Sequence, residues 1–179
     1  MKSLKIPQLD KDIDSNILCN YIIFMLVFSY RTLIFRMSAM AVKFYDSVSD
    51  DLLKFAVIVS KSDGKWVLCK HKLRNTLEVP GGHRELGENI IDTAKRELVE
   101  ETGAVRFDLK PVCVYSVTEE NNFDGKETFG LLCYAEIYSF GEIHSEIEKI
   151  ELFDDLPTNW TYPTIQPYLI KELKQRNVL

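Results

Sequence analysis

A chain of 179 residues with 46% hydrophobic residues has the size and composition of one domain around a single core. Its net charge of −5 excludes a broad basic surface for long nucleic acid, so duplex DNA is not an expected partner. Four scattered cysteines (Cys19, Cys69, Cys113 and Cys133) with no CxxC pair, beside only three histidines, argue against a zinc site or a disulfide framework. They fit reduced thiols in a cytoplasmic protein.

The first 39 residues differ in character from the rest. Ile17 to Phe28 is apolar except for Asn20, a run of about a dozen residues against the roughly twenty that span a bilayer. Asp10, Asp12 and Asp14 precede the apolar run and Arg31 and Arg36 follow it, a poor match to a secretory signal. Three readings stay open: translation from Met37 or Met40, a membrane-associated helix, or an extra helix on the domain. The expected division is an N-terminal extension over 1–39 and one domain over 40–179, with a membrane not an expected partner.

From residue 40 the elements follow in order. Phe55-Ala56-Val57-Ile58-Val59 is a β-branched apolar run that predicts a buried strand, and Asp63-Gly64 predicts a tight hairpin into Trp66–Cys69. Leu77–Val79 is a short extended piece, stopped by a sharp turn at Pro80-Gly81-Gly82. A helix is predicted to start at an Asn89 cap and run to Thr102, with Gly103 at its C-cap. Strands are expected over 112–117, 129–137 and 147–153, with a polar segment over 119–127 carrying a turn at Asp124-Gly125. Thr164 is the expected cap of a last helix with Pro167 in its first turn. Strands in mixed order with two helices predict an α/β fold, a mixed sheet between helical layers.

The segment GHRELGENIIDTAKRELVEETGA, Gly82 to Ala104, departs from ordinary helix patterning. At about 100° per residue, Ile90, Ile91, Ala94 and Leu98 share one quadrant, while Glu101 falls about 20° and Glu97 about −20° from Ile90. Two acids thus lie on the azimuth of the core, where a surface helix holds apolar groups. Glu97 also stands one turn from Glu100 and Glu101, at a cost of about 0.2–0.5 kcal/mol per like-charge pair. Glu100 and Glu101 sit in the last turn, where the helix dipole disfavours anions by about 0.3–1 kcal/mol each. A hard divalent cation held by oxygen ligands, magnesium or manganese, would offset such a cluster. A solvated acidic face, with Asp92–Arg96 and Arg96–Glu100 pairs, is the alternative.

The spacing resembles the Nudix box: Gly82, five residues, Glu88, seven residues, then Arg96-Glu97-Leu98-Val99-Glu100-Glu101-Thr102-Gly103. Ala104 stands where that signature usually has a bulkier aliphatic residue. The resemblance implies a Nudix-type α/β/α sandwich with a loop–helix–loop catalytic motif. It also implies magnesium-dependent hydrolysis, with manganese as a substitute, of a diphosphate linkage in a nucleotide-like small molecule, by water attack on phosphorus. By position it makes Glu97, Glu100, Glu101 and the Gly81 carbonyl metal ligands. Glu88 would support a second ion, Arg96 would orient the carboxylates, and Glu97 would be the first choice for general base. Glu119, Glu120, Glu146 and Glu148 are further candidates for that base, each also readable as a solvated acid.

Outside the box, His83, His71 and Arg74 are candidate substrate contacts, and Trp160, Tyr162 and Phe123 candidate stacking partners for a base. Three functions follow from the resemblance. One is MutT-like hydrolysis of nucleoside di- or triphosphates, including oxidised dGTP. The second is removal of pyrophosphate from an RNA 5′ end, hinted at by Lys70, Lys72 and Arg74. The third is a non-catalytic nucleotide sensor, which the complete set of box glutamates disfavours.

Overall fold

The computed structural model describes residues 41–118 and 126–179. Met40–Leu179 form one compact unit. Readings that concern residues 1–40, and those on Glu119, Glu120, Phe123 and the Asp124-Gly125 turn, fall outside the described residues.

The strands are β1 (Ala41–Tyr45), β2 (Leu53–Ser62), β3 (Lys65–His71), β4 (Leu77–Glu78), β5 (Gly81–His83), β6 (Ala104–Thr118), β7 (Glu127–Phe140) and β8 (Ile147–Phe153). The helices are α1 (Ile90–Thr102) and α2 (Gln166–Gln175), with a 3-10 turn at Asp50–Leu52. One sheet runs β1-β6-β7-β2-β3-β4, with β5 added to β2 and β8 to β3. It is mixed, because β2 and β7 are parallel and the other pairs antiparallel.

Period-two burial assigns each face of the sheet to one helix. Ala56 and Ile58 of β2, Val67 of β3 and Cys133 and Ala135 of β7 pack with Ile90, Ala94 and Leu98 of α1. Val59, Leu68 and Leu132 face the other way and pack with Leu169, Ile170 and Leu173 of α2. This is the expected sandwich, a sheet covered by a helix on each face.

The hairpin after β2 forms as the sequence predicts, with Asp63 at φ 50° and Gly64 at φ 77°, the two positive values of a type I′ turn. Asn89 caps α1 by accepting the Ile91 N–H at 2.9 Å, and Gly103 ends it at φ 70°, its N–H donating to the Val99 carbonyl at 2.8 Å. Three expectations need correction. Gly81-Gly82 is no sharp turn but part of β5, where flat, unhindered backbone pairs with Ala56 and Val57. β6 begins at Ala104, well before residue 112, because the long β7 partner pairs with its polar first half. α2 starts from Ile165 rather than Thr164, the Ile165 and Gln166 N–H groups both donating to the Tyr162 carbonyl.

Gly103 combines left-handed backbone with a neighbour too close for a side chain, since a Cβ there would lie 2.8 Å from the Gly141 carbonyl oxygen. Gly64 has similar backbone but open space around it. Gly103→Ala is therefore expected to destabilise the protein by about 2 kcal/mol or more, and Gly64→Ala by about 1 kcal/mol. Urea unfolding midpoints of the two variants would check the order, and equal losses would refute it.

Candidate active site

The phase of α1 is set by Ile90, Ala94 and Leu98, all buried against the sheet. That phase turns Glu97 and Glu101 inward as the azimuths predict, leaving them 9% and 8% exposed. They meet β5. Pro80 O accepts the Ile58 N–H and the Arg84 N–H donates to Lys54 O, so residues 80, 82 and 84 hold the bonded positions of the ladder. Gly81 falls between them, with its N–H and carbonyl turned off the ladder, and the N–H donates to Glu101 Oε2 at 2.9 Å. Gly82 lies against the Glu97 carboxylate, which any Cβ at that position would overlap.

Arg96 binds the remaining acids into a row. Its Nε donates to Glu88 Oε1 at 2.9 Å, its Nη1 to Glu97 Oε1 at 2.7 Å and Glu100 Oε2 at 3.2 Å, and its Nη2 to the His83 carbonyl at 3.0 Å. The Asp92–Arg96 pair is absent, since Asp92 faces Lys95 instead. Glu88 also accepts from the Thr93 hydroxyl and the Glu85 N–H. Arg96, with Thr93 beside it, holds the Glu88 carboxyl down to about 2.

Glu97 and Glu101 are shifted the other way. Burial raises Glu97 against the pull of Arg96. Burial pushes Glu101 up to about 8, opposed by the Gly81 N–H and reinforced by the charges of Glu97, Glu78 and Glu146. Both carboxylates are buried, Glu97 held by Arg96 and Glu101 by the Gly81 N–H, and Gly82 leaves room for the Glu97 carboxylate. The donors there are oxygens: the carboxylates of Glu97, Glu100 and Glu101 and the free carbonyl of Gly81. That set suits a hard divalent cation. Among the described residues no three acidic, histidine or cysteine side chains yet converge on one point. Arg96 occupies Glu97 and Glu100, and a cation would compete with it for their oxygens.

Beside the acids lies a cavity of about 320 Å³. His71, His83, Arg74, Tyr162 and Glu146 all line it together with Gly81, Gly82 and Glu101. Arg74 does not point a free charge into it, because Nη1 donates to Glu78 Oε2 at 2.9 Å. Of the outlying candidate bases, Glu146 lines the cavity, whereas Glu148 is paired with Lys70. Trp160 belongs to the α2-side core, bridged to Leu77, and does not line the cavity. Sequence reasoning missed Phe55, Tyr115, Glu78 and Gln166 in the walls. Only Glu78 left a signal, an acid between two buried apolar residues, Leu77 and Val79.

Known proteins resemble this chain in sequence and in fold. The profile of the NUDIX domain matches residues 52–164. A Bacillus subtilis protein, "Putative 8-oxo-dGTP diphosphatase YtkD", is 30% identical over 153 residues, covering 74% of this chain and 87% of that one. Among solved structures, the Bacillus subtilis pyrophosphohydrolase BsRppH superposes with a TM-score of 0.64 at 27% identity, over 76% of this chain and 90% of that chain. A MutT NUDIX hydrolase from Burkholderia pseudomallei shares the fold, with a TM-score of 0.51 at 20% identity over 66% of this chain and 95% of its own.

The Glu101 shift has a direct consequence for stability. Its folded value near 8 lies above the ordinary 4.5, so the folded metal-free protein holds a proton that the unfolded chain has lost. That contribution is harmless below about pH 4.5 and becomes a growing loss as pH rises toward 8. Glu101→Gln keeps an acceptor for the Gly81 N–H but carries no charge. In EDTA it is expected to melt at a higher temperature than wild type at pH 8.5, with the gap closing by pH 5. A gap that does not change with pH, followed by thermal melts, would refute the assignment.

Proposed function

The chain belongs to the NUDIX-domain family, and on that premise we propose that it is a magnesium-dependent pyrophosphohydrolase of free nucleoside di- or triphosphates. Oxidised dGTP is one candidate substrate, and the cytoplasm is the proposed compartment, where the buried thiols of Cys69, Cys113 and Cys133 stay reduced. The observation that carries the reading is the pair of buried carboxylates, Glu97 and Glu101, set beside glycine backbone, with Glu101 on the wall of a cavity with room for a ligand. Burying two acids side by side has no structural benefit of its own and costs stability. A site that must recruit positive charge to an anionic substrate accounts for it.

Glu97, Glu100, Glu101 and the Gly81 carbonyl would hold the metal. Magnesium, when bound, supplies neutralisation of the diphosphate and a water of lowered pKa. Arg96 fixes the carboxylates in place through its three acidic partners, so that they are oriented before substrate arrives. Glu97 is the proposed general base; in the metal-free protein burial raises its carboxyl against the pull of Arg96. Glu146, on the cavity wall, is the proposed alternate.

The RNA 5′-end reading draws less support. Lys70 pairs with Glu148, Lys72 donates to the Ser145 carbonyl at 2.8 Å and Arg74 is tied to Glu78. These cations are committed within the protein rather than offered to a phosphate chain. A sensor without activity is disfavoured by the complete acidic row.

The full chain, incubated with a nucleotide library, is expected to release phosphate or pyrophosphate with magnesium present and none in excess EDTA. Glu97→Gln and Glu100→Gln are each expected to lower kcat by about 10²-fold or more, with folding intact by circular dichroism. Release that persists in EDTA, or in Glu97→Gln at the wild-type rate, would overturn the proposal.

A further inference from the structure

The sheet face that carries α2 also carries a set of cations, at the end of the strands away from the cavity. Register places Lys110 opposite Tyr134, Asp108 opposite Glu136, Glu136 opposite Lys61, and Lys61 opposite Trp66. Phe107 and Leu109 pack on the α1 side, so Arg106, Asp108 and Lys110 between them face the α2 side with Trp66. Lys61 lies four residues beyond the cavity residue Val57, about 13 Å along β2 at roughly 3.3 Å per residue. Each cation sits over an aromatic ring. Lys61 and Lys174 lie over Trp66 at 4.3 and 5.8 Å, Arg106 over Tyr138 at 5.5 Å, and Lys110 over Tyr134 at 5.4 Å.

These cations are set apart from the others. Among the described residues nine lysines and arginines pair with a carboxylate, and these four do not. The two acids of the face are engaged by its tyrosines: Asp108 accepts from the Tyr138 hydroxyl at 2.8 Å and Glu136 from the Tyr134 hydroxyl at 2.7 Å. A chain of net charge −5 thus keeps four cations against two hydrogen-bonded acids on one strand surface. An acidic peptide would neutralise that charge but has no use for the rings. A phosphate chain with bases uses both, its charge on the cations and its flat groups on aromatic and guanidinium planes. Tyr138, 48% exposed, and Arg106 offer such planes. Trp66, 6% exposed, is covered by its two lysines and holds them in place. The face spans β6, β7, β2 and β3, about 14 Å at roughly 4.8 Å per strand, which suits a few nucleotides and not a long duplex.

We propose that this face docks a short single-stranded segment of nucleic acid, with phosphates on Lys61, Lys110 and Lys174 and a base against Arg106 and Tyr138. The docking is separate from the cavity and does not depend on hydrolysis there. The probe is a fluorescent oligouridylate of about ten nucleotides with a 5′ hydroxyl, which brings no diphosphate to the acids. Its affinity for the full chain, followed by anisotropy, is expected to fall roughly 20- to 50-fold between 50 and 200 mM salt, the response of three or four displaced cations. The double variant Lys61→Gln, Lys110→Gln should bind at least tenfold more weakly at 50 mM salt and show a shallower salt dependence. Tyr138→Ala should lose about tenfold, whereas Tyr138→Phe, which keeps the ring and loses only the Asp108 bond, should bind nearly as wild type. Circular dichroism reports folding, and hydrolysis of free nucleotides should be unchanged in all three variants. Absence of binding at 50 mM salt, or affinities unaffected by these substitutions, would sink the proposal. So would displacement of the probe by a non-hydrolysable nucleoside triphosphate, which would place it in the cavity. Equal competition by an oligoglutamate peptide, with Tyr138→Ala binding as wild type, would assign the face to an acidic protein instead.

Discussion

Helix α1 packs directly on strand β5, and residue 82 has no side chain to displace the Glu97 carboxylate from that contact. The rest of the site depends on this contact. With the two backbones this close, Glu101 can accept the Gly81 N–H, Glu97 can lie over Gly82, and Arg96 can reach both the His83 carbonyl and Glu88. The contact also explains why the acids lie on the helix's buried side at all. The apolar triad Ile90, Ala94 and Leu98 fixes the rotation of α1, and the carboxylates follow from their place in the repeat.

The electrostatics of the row divide between Glu88, which is well compensated, and Glu101, which is not. Glu88 has Arg96, Thr93 and the Glu85 N–H, and its proton is held off far into acid. Glu101 has a single backbone donor against three neighbouring carboxylates, Glu97, Glu78 and Glu146. Burial is the leading cause of its shift, and the like charges add to it. An isolated protein gains nothing from that imbalance. A cation would reverse it, because the burial that makes Glu101 costly also strengthens its attraction to a metal ion. Arg96 shields Glu97 and Glu100 in the metal-free protein, and a cation binding there would have to take their oxygens from it.

The sequence revealed what depends on local periodicity. The inward turn of Glu97 and Glu101, the Asn89 and Gly103 caps and the Asp63-Gly64 hairpin are all set by residues within one or two helical turns. What it concealed depends on pairing across the sheet. Gly81-Gly82 reads as a turn by residue type, and only its partner β2 makes it a strand. The polar first half of β6 has no apolar alternation and is extended because β7 is beside it. The cavity walls were least legible. Phe55, Glu78, Tyr115 and Gln166 come from four separate elements, and apart from Glu78, an acid between two apolar residues, nothing near them in the chain marks them as part of a site. Arg74 was legible as a cavity residue but not as a partner of Glu78, which required knowing that their short loop folds back.

The cavity exists where it does because β2 changes partner along its length. Over Ser60–Ser62 it pairs with β3, and over Phe55–Val57 with β5. β3 meanwhile pairs with β4 over Cys69 and Lys70, and with β8 from Trp66 to His71. The sheet therefore splits between β3 and β5, and the lining residues His71, Glu78, Val79, Gly81 and Val57 border that split. Through it, acids carried by α1 on one face meet the aromatic wall and Gln166 carried on the α2 face. An unbroken sheet would keep the two sets apart on opposite sides. The split thus brings the acids of one helix and the aromatic wall beneath the other to a single cavity, while each helix keeps its own core.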